Sequence, residues 1–400
     1  MTQTFHKSDE EHRRYLDGSI KKHLEAGRLI EDDANLIREF LEEIRATKQI
    51  SLVRARKLNA HLISWRQFIG PFRQNSATDL YAGLDKLKSH IKDDGKPYEQ
   101  NTQRDFVLFI KRFYLWMIEN GYSSIPEKKI RAIKPPATNT MTKTAEGLLS
   151  EDEIRAMLEA CMNSRDRALI AALYEGGFRI GELGNLKWKQ VKFTDWNVTI
   201  NVNEKTGKPR FVPLVFARGY LAQWKIDYPG ALDPDSHVFL TRTGEPLGYE
   251  ATAKQIRDIA TRAGIEKRIT PHLFRHSRIT EMIRDGFNES VIKRICWGNI
   301  NTPMFNTYAH LTDQDIEREI AEHAGIEQKS MKKKSDALEP KQCPKCYCVN
   351  PPTHNFCATC GYSFESGLSE EDMIRSMVRD NPDLLIEYAE KLKAEKEKMG

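Results

Sequence analysis

The sequence predicts a mainly α-helical protein with one small β-hairpin region. Three observations predict it. Apolar residues recur at helical spacing through most of the chain before residue 326. One stretch, "NVTINVNEKTGKPRFVPLV", changes to alternating β-branched residues around a Lys-Thr-Gly-Lys turn, the pattern of a hairpin. A short segment from Cys343 to Cys360 holds five of the seven cysteines and is too short to fold by apolar burial.

The elements follow in order. Residues 8–46 read as two amphipathic helices, with Leu36, Ile37, Phe40, Leu41 and Ile44 on one face of the second. From Ser51, a helix places Leu52, Leu58, Leu62, Trp65 and Phe68 on one side. Another helix follows "SATDL". A longer one starts near Thr102 and ends at Gly121, with Phe106, Phe109, Ile110, Phe113, Trp116 and Met117 as core. Arg54, Arg56, Lys57, Arg66, Lys111 and Arg112 fall on the outer faces. Singly they are solvated charges; as a set they suit phosphate contacts. This gives a helical N-terminal domain over residues 1–124.

Residues 125–147 carry prolines, threonines and lysines without apolar periodicity, which predicts a linker. A second domain spans 148–326. It opens on Ser150 and Glu153, a capping box ahead of an apolar helix. The hairpin lies inside it, "HVFL" reads as a short strand, and helices resume at Tyr249. A basic linker (327–340), the cysteine module (341–364) and two C-terminal helices (365–400) complete the chain. In the last helix Asn381 is the cap, Pro382 the first helical residue, and Leu384, Leu385, Tyr388 and Leu392 form a docking stripe.

Composition bounds the function. Four hundred residues exceed one core, and 40% hydrophobic with 30% charged content excludes a disordered chain. No long apolar run and a polar N-terminus predict a cytoplasmic protein without a membrane partner. The net charge of +5 is compatible with nucleic acid where the cations cluster. Cys161 and Cys296 sit alone in apolar stretches and read as buried thiols.

Breaking a DNA phosphodiester with a side-chain nucleophile needs three things. The nucleophile must hold phosphorus covalently, so that the bond energy is kept for rejoining. Fixed cations, best of all guanidinium forks, must stabilise charge on the non-bridging oxygens. The departing 5′-oxygen needs a proton. The second domain offers Arg179 in "GGFRIGEL", Lys205 at the hairpin turn, His272 and Arg275 one helical turn apart in "PHLFRHS", and Tyr308 in "FNTYAHL". None of these is specific alone; their order is.

In that order, "GFRIGEL", "KTGKPRFVPL", "HLFRHS", "CWGN" and "NTYAH" make the chain resemble the tyrosine site-specific recombinases, the phage integrase family. The resemblance is strong from Leu148 to Ile326 and looser over residues 30–135. It implies a helical core-binding domain and a tyrosine-recombinase catalytic domain that clamp double-stranded DNA, and a homo-tetramer during strand exchange. It implies a site-specific recombinase or integrase that works through a 3′-phosphotyrosine without ATP or catalytic metal. Arg179 and Arg275 would clamp the scissile phosphate, Lys205 would protonate the leaving oxygen, His272 would assist, and Tyr308 would attack. Asn299 stands where the family usually has His or Trp. Its amide can still donate a hydrogen bond, although a lost donor of this kind costs about 2.7–4 kcal/mol where it acts fully. Glu182 is expected as a structural partner. Lys208 and Arg210 compete with Lys205 for the hairpin role, their simpler reading being backbone contact or exposed charge. His276 and His310 flank the motifs.

The spacing C-x2-C-x10-C-x2-C assigns Cys343, Cys346, Cys357 and Cys360 to one structural zinc ion, with Cys348 and His354 as alternative ligands. The module looks like a zinc ribbon, whether a purely structural knob or a DNA contact. A ribbon on an integrase-like chain is similar to arrangements in archaeal recombinases. The alternative function is a non-catalytic or weakly catalytic DNA-binding regulator with the same fold. A type IB topoisomerase would share the chemistry, and a scaffold built on the tail would explain none of the five motifs.

Overall fold

The computed structural model describes residues 5–139, 147–202, 209–307 and 338–364. It divides into two compact units, one of residues 7–142 and one of residues 1–6 with 143–400.

The first unit is helical: α1 (Asp9–Glu25), α2 (Glu31–Lys48), α3 (Leu52–Trp65), α4 (Ala77–Ser89), α5 (Gln100–Glu119) and α6 (Glu127–Arg131). Serines start three of them. Ser8 and Ser76 form capping boxes with Glu11 and Asp79, and Ser51 accepts from the Arg54 N–H. Phe40, Trp65, Phe72, Phe109 and Phe113 are fully buried, and the Trp65 indole N–H donates to the Phe106 carbonyl at 2.9 Å.

Two expectations change here. Arg66 is not on an outer face: it turns inward to Asp33 at 2.7 Å, and Asp33 also accepts from the Phe72 N–H at 2.8 Å. A buried carboxylate needs such partners. Residues 125–133, expected as linker, fold onto this unit instead. Ile125, Ile130 and Ile133 are buried in its core, and the Lys111 ammonium holds the carbonyls of Arg131 and Ile133 at 2.5 and 2.8 Å. Three isoleucines among charges are too few to register as a period, yet enough to anchor a five-residue helix.

The second unit contains α7 (Glu151–Glu159), α8 (Ser164–Gly176), α9 (Ile180–Gly184), β1 (Val191–Phe193), β2 (Val198–Val202), β3 (Arg210–Leu214), α10 (Ala217–Ile226), α11 (Tyr249–Arg262), α12 (Pro271–Arg284), α13 (Glu289–Trp297), a 3-10 turn at Pro303–Thr307, β4 (Lys341–Gln342) and β5 (Val349–Asn350). Helix α8 is its centre. Residues Ala168 to Leu173 are all buried, and α7, α10 and α12 pack around it. The expected hairpin is β2–β3, antiparallel with Val202 opposite Arg210, and β1 adds a third strand on the other side of β2.

"HVFL" is not a strand. His237 and Leu240 form only single bridges, to Lys187 and Pro246, while Val238 donates to the Leu186 carbonyl at 2.7 Å. Its apolar residues are buried because they plug the core, not because they extend the sheet. Phe5 also departs from expectation, joining the second unit's core instead of the first. Its ring occupies the space over Gly184, where a Cβ would lie 2.0 Å away, and its carbonyl accepts from the Tyr249 N–H at 2.9 Å. The end of the expected basic linker is docked as well: Leu338 is buried, and Pro340 lies against Gly219. Lys205, Lys208, Tyr308, His310, the lysine-rich part of the second linker and the C-terminal helices lie outside the described residues.

Candidate active site and cysteine cluster

The turn from α8 to α9 places the first candidate. Gly177 caps α8 at φ +53°, and a Cβ on Gly176 would lie 2.1 Å from the Phe178 ring. Both glycines are therefore required by the turn. Arg179 emerges as the residue before α9. Its backbone N–H donates to Glu182 Oε2 at 2.7 Å and its guanidinium to Oε1 at 3.0 Å. The Arg179 side chain is 40% exposed, whereas that of Glu182 is fully buried.

Arg275 sits in the second turn of α12 and is only 5% exposed. It donates to the Gly177 carbonyl at 2.7 Å and the Cys296 carbonyl at 2.5 Å, and its guanidinium lies 5.3 Å from the Trp297 ring centre. Burial lowers its pKa. The charges of Arg179 and Arg210 push the same way, while Cys296 and Glu182 act against them. The turn before Arg179 and the end of α13 thus both converge on Arg275.

Arg210 is the residue that sequence reasoning placed poorly. It is neither an exposed charge nor at the hairpin tip. It is buried at the start of β3, just after the turn, paired with Glu182 Oε1, and donates to the carbonyls of Ile295 and Cys296 at 2.6 and 2.9 Å. The strand's period of two carried the signal: positions 210, 212 and 214 share the inward face. Two guanidinium groups, Arg179 and Arg210, thus contact one buried carboxylate, and Arg275 lies near enough to feel the charge of all three, so positive charge is in excess.

His272 follows Pro271 in the first turn of α12 and is exposed, one turn from Arg275 as its spacing predicts. His276 is half-buried. Asn299 is half-buried and follows Gly298, which caps α13 at φ +66°. The Asn299 side-chain oxygen accepts from the Asn301 N–H at 3.2 Å. That turn uses the amide oxygen; the donor role expected of Asn299 needs the nitrogen. The chain then enters the Pro303–Thr307 turn, anchored by buried Phe305 against Ile279, Met282, Ile292 and Cys296. Tyr308 and Lys205 are outside the described residues, so Arg179, Arg275, His272 and Asn299 are the placed part of the candidate set.

The second cluster lies in the module at 341–364. The Sγ atoms of Cys343, Cys346, Cys357 and Cys360 are all within 4.8 Å of one another. Cys343 and Cys360 are 3.5 Å apart, and Cys346 and Cys357 are 3.4 Å apart. A tetrahedral zinc site with Zn–S of about 2.3 Å needs sulfurs about 3.8 Å apart, so the four thiols fit that ion. Each knuckle closes on a left-handed residue, Tyr347 at φ +61° and Gly361 at φ +70°. Burial opposes ionisation of Cys357, but hydrogen bonds from the N–H groups of Thr359 and Cys360 and from the Cys346 and Asn350 side chains together lower its pKa to about 6. Cys348 and His354 are outside the four-sulfur group. The module rests on the second unit: the Val349 N–H donates to the Gln223 side chain at 3.1 Å, and the Thr353 hydroxyl to Glu159 at 2.5 Å.

Residues 148–315 match the phage integrase family. The match covers every candidate active-site position and stops short of the four-cysteine cluster. Among related sequences, transposase A of transposon Tn554 from Staphylococcus aureus is 32% identical over 200 residues, 46% of this chain and 54% of that protein. The chain thus spans about half the length of that relative. The tyrosine recombinase XerC of Xanthomonas campestris pv. campestris is 28% identical over 294 residues, 71% of this chain and 87% of its own. In structure, the chain is similar to the lambda integrase (residues 75–356) solved bound to DNA, with a TM-score of 0.54 and 13% identity over 70% of this chain and 98% of that one. The fold is therefore mainly helical and of the tyrosine-recombinase type. Among the described residues, no helix is long and apolar enough to cross a membrane.

Proposed function

We propose that this chain is a site-specific recombinase or integrase that cleaves and rejoins double-stranded DNA through a 3′-phosphotyrosine. The observation that carries the reading is the convergence of Arg179 and Arg275 on the Gly177 turn, within the segment that matches the integrase family. Arg179 and Arg275 grip the non-bridging oxygens of the scissile phosphate. The Tyr308 phenolate attacks phosphorus, the P–O5′ bond breaks, and Lys205 gives the departing oxygen its proton. The phosphotyrosyl ester keeps the bond energy, so the chemistry asks for no nucleotide. His272 assists at the phosphate, and Asn299 donates from its amide nitrogen. The active assembly is a homo-tetramer on DNA in the cytoplasm, with the helical unit of residues 7–142 and the segment 148–326 as its DNA-binding parts.

The test is covalent capture. A library of nicked duplexes incubated with the protein is expected to yield a detergent-stable adduct on a small set of related sequences. Sequencing the captured strands then defines the site. Gel shifts without any adduct would favour the runner-up, a DNA-binding regulator.

The cysteine cluster belongs to the proposal as a structural zinc ribbon of the archaeal-recombinase type. With zinc bound, the four thiolates would tie the two knuckles together and supply the folding energy that so short a segment lacks, on the order of 10 kcal/mol. Native mass spectrometry of reduced protein is expected to show one zinc per chain. Cys343→Ser is expected to lose it and to open the 341–364 segment to proteolysis. Metal-free protein with the segment still protected would refute this part.

A further inference from the structure

We infer that Arg210 is a charge-balancing residue, which occupies the buried Glu182 carboxylate so that Arg179 can turn to the phosphate. The inference rests on the function proposed above and assigns a task to a side chain outside that mechanism. Glu182 Oε1 receives both guanidiniums, Arg179 at 3.0 Å and Arg210 in closer contact. The two arginines are not equivalent. Arg210 is 3% exposed and locked by the carbonyls of Ile295 and Cys296, so it cannot leave. Arg179 is 40% exposed and can. A carboxylate with no exposure must keep a cation beside it. Arg210 supplies that cation permanently. Without it, Arg179 becomes the carboxylate's sole counter-charge and is held inward, and the pocket loses one of three positive charges.

The geometry also separates this role from a scaffolding one. Arg210 ties the end of α13 to β3 through two carbonyls, and Arg275 reaches the Cys296 carbonyl independently. If Arg210 only held that joint, removing Glu182 as well could not help. If it balances charge, removing Glu182 should restore Arg179.

The experiment compares wild type, Arg210→Gln and the double variant Glu182→Gln/Arg210→Gln in full-length protein. One readout is the rate of covalent adduct formation on a nicked duplex. The other is the rise in melting temperature with inorganic phosphate. Arg210→Gln is expected to slow the adduct by about a hundredfold and to flatten the phosphate response. The double variant is expected to recover both to within about tenfold of wild type. A double variant no better than the single, or a single variant equal to wild type, would overturn the inference. Should Arg210→Gln fail to fold, the comparison rests on the double against wild type; a folded double more than about a hundredfold slower counts against it. If wild type forms no adduct at all, the recombinase reading fails. Charge balance is then decided by the phosphate response, where loss in the single and recovery in the double still supports it.

Discussion

Tyr308→Phe is expected to abolish covalent capture of nicked DNA while leaving binding intact. The substitution deletes one oxygen and keeps the ring. Without the phenolic oxygen no ester to the 3′-phosphate can form. Loss of a covalent nucleophile in enzymes that work this way costs about a millionfold in rate, below detection in a gel assay. Where affinity for DNA comes mainly from phosphate contacts, as the proposed function expects, the gel shift should persist and weaken steeply with salt as in wild type. A detergent-stable adduct from the Phe variant would show that another residue attacks.

Arg275→Ala should be the most damaging change among the described candidates, because it acts twice. On the mechanism proposed above it removes half of the phosphate clamp, a loss of about 10²–10³ in cleavage rate. Structurally it strips the Gly177 and Cys296 carbonyls of buried donors, each worth about 1–3 kcal/mol when left unmet. Arg210 still reaches Cys296, so the Gly177 side of the turn should loosen more. Arg275→Lys separates the two effects. It keeps the charge, but a single ammonium lacks the planar fork that reaches two carbonyls. We expect intermediate stability by thermal melt and activity nearer to Ala than to wild type. Full activity in Arg275→Lys would mean that charge alone, without the fork, is what the site needs.

Much of this arrangement is legible in the sequence, for local reasons. The Gly176–Gly177 pair, the one-turn spacing of His272 and Arg275 and the C-x2-C pairs are short-range patterns, and short-range geometry fixes them. Capping boxes at Ser150 and the alternation of β2 and β3 belong to the same kind. What the sequence hid was long-range. Arg66 and Arg210 look like surface charges because their partners, Asp33 and Glu182, lie 33 and 28 residues away. Phe5 gave no signal of the core it joins, since a lone aromatic near a terminus has no period. Residues 125–133 read as linker because three isoleucines spaced among charges and a proline make no period, although they dock back onto α5 and the core behind it. The "HVFL" error has the same root: a plug and a strand share a composition, and only the neighbours distinguish them.

The burial of Phe5 among residues of the second unit has a topological result. Read along the chain, the helical unit is an insertion, entered after His6 and left near residue 142. Burial of the Phe5 ring contributes about 2–3 kcal/mol. That stabilisation belongs to the second unit, over Gly184 and beside Tyr249, so Phe5→Ala should lower the second unit's stability while the core of the helical unit, which lacks this ring, stays as it is.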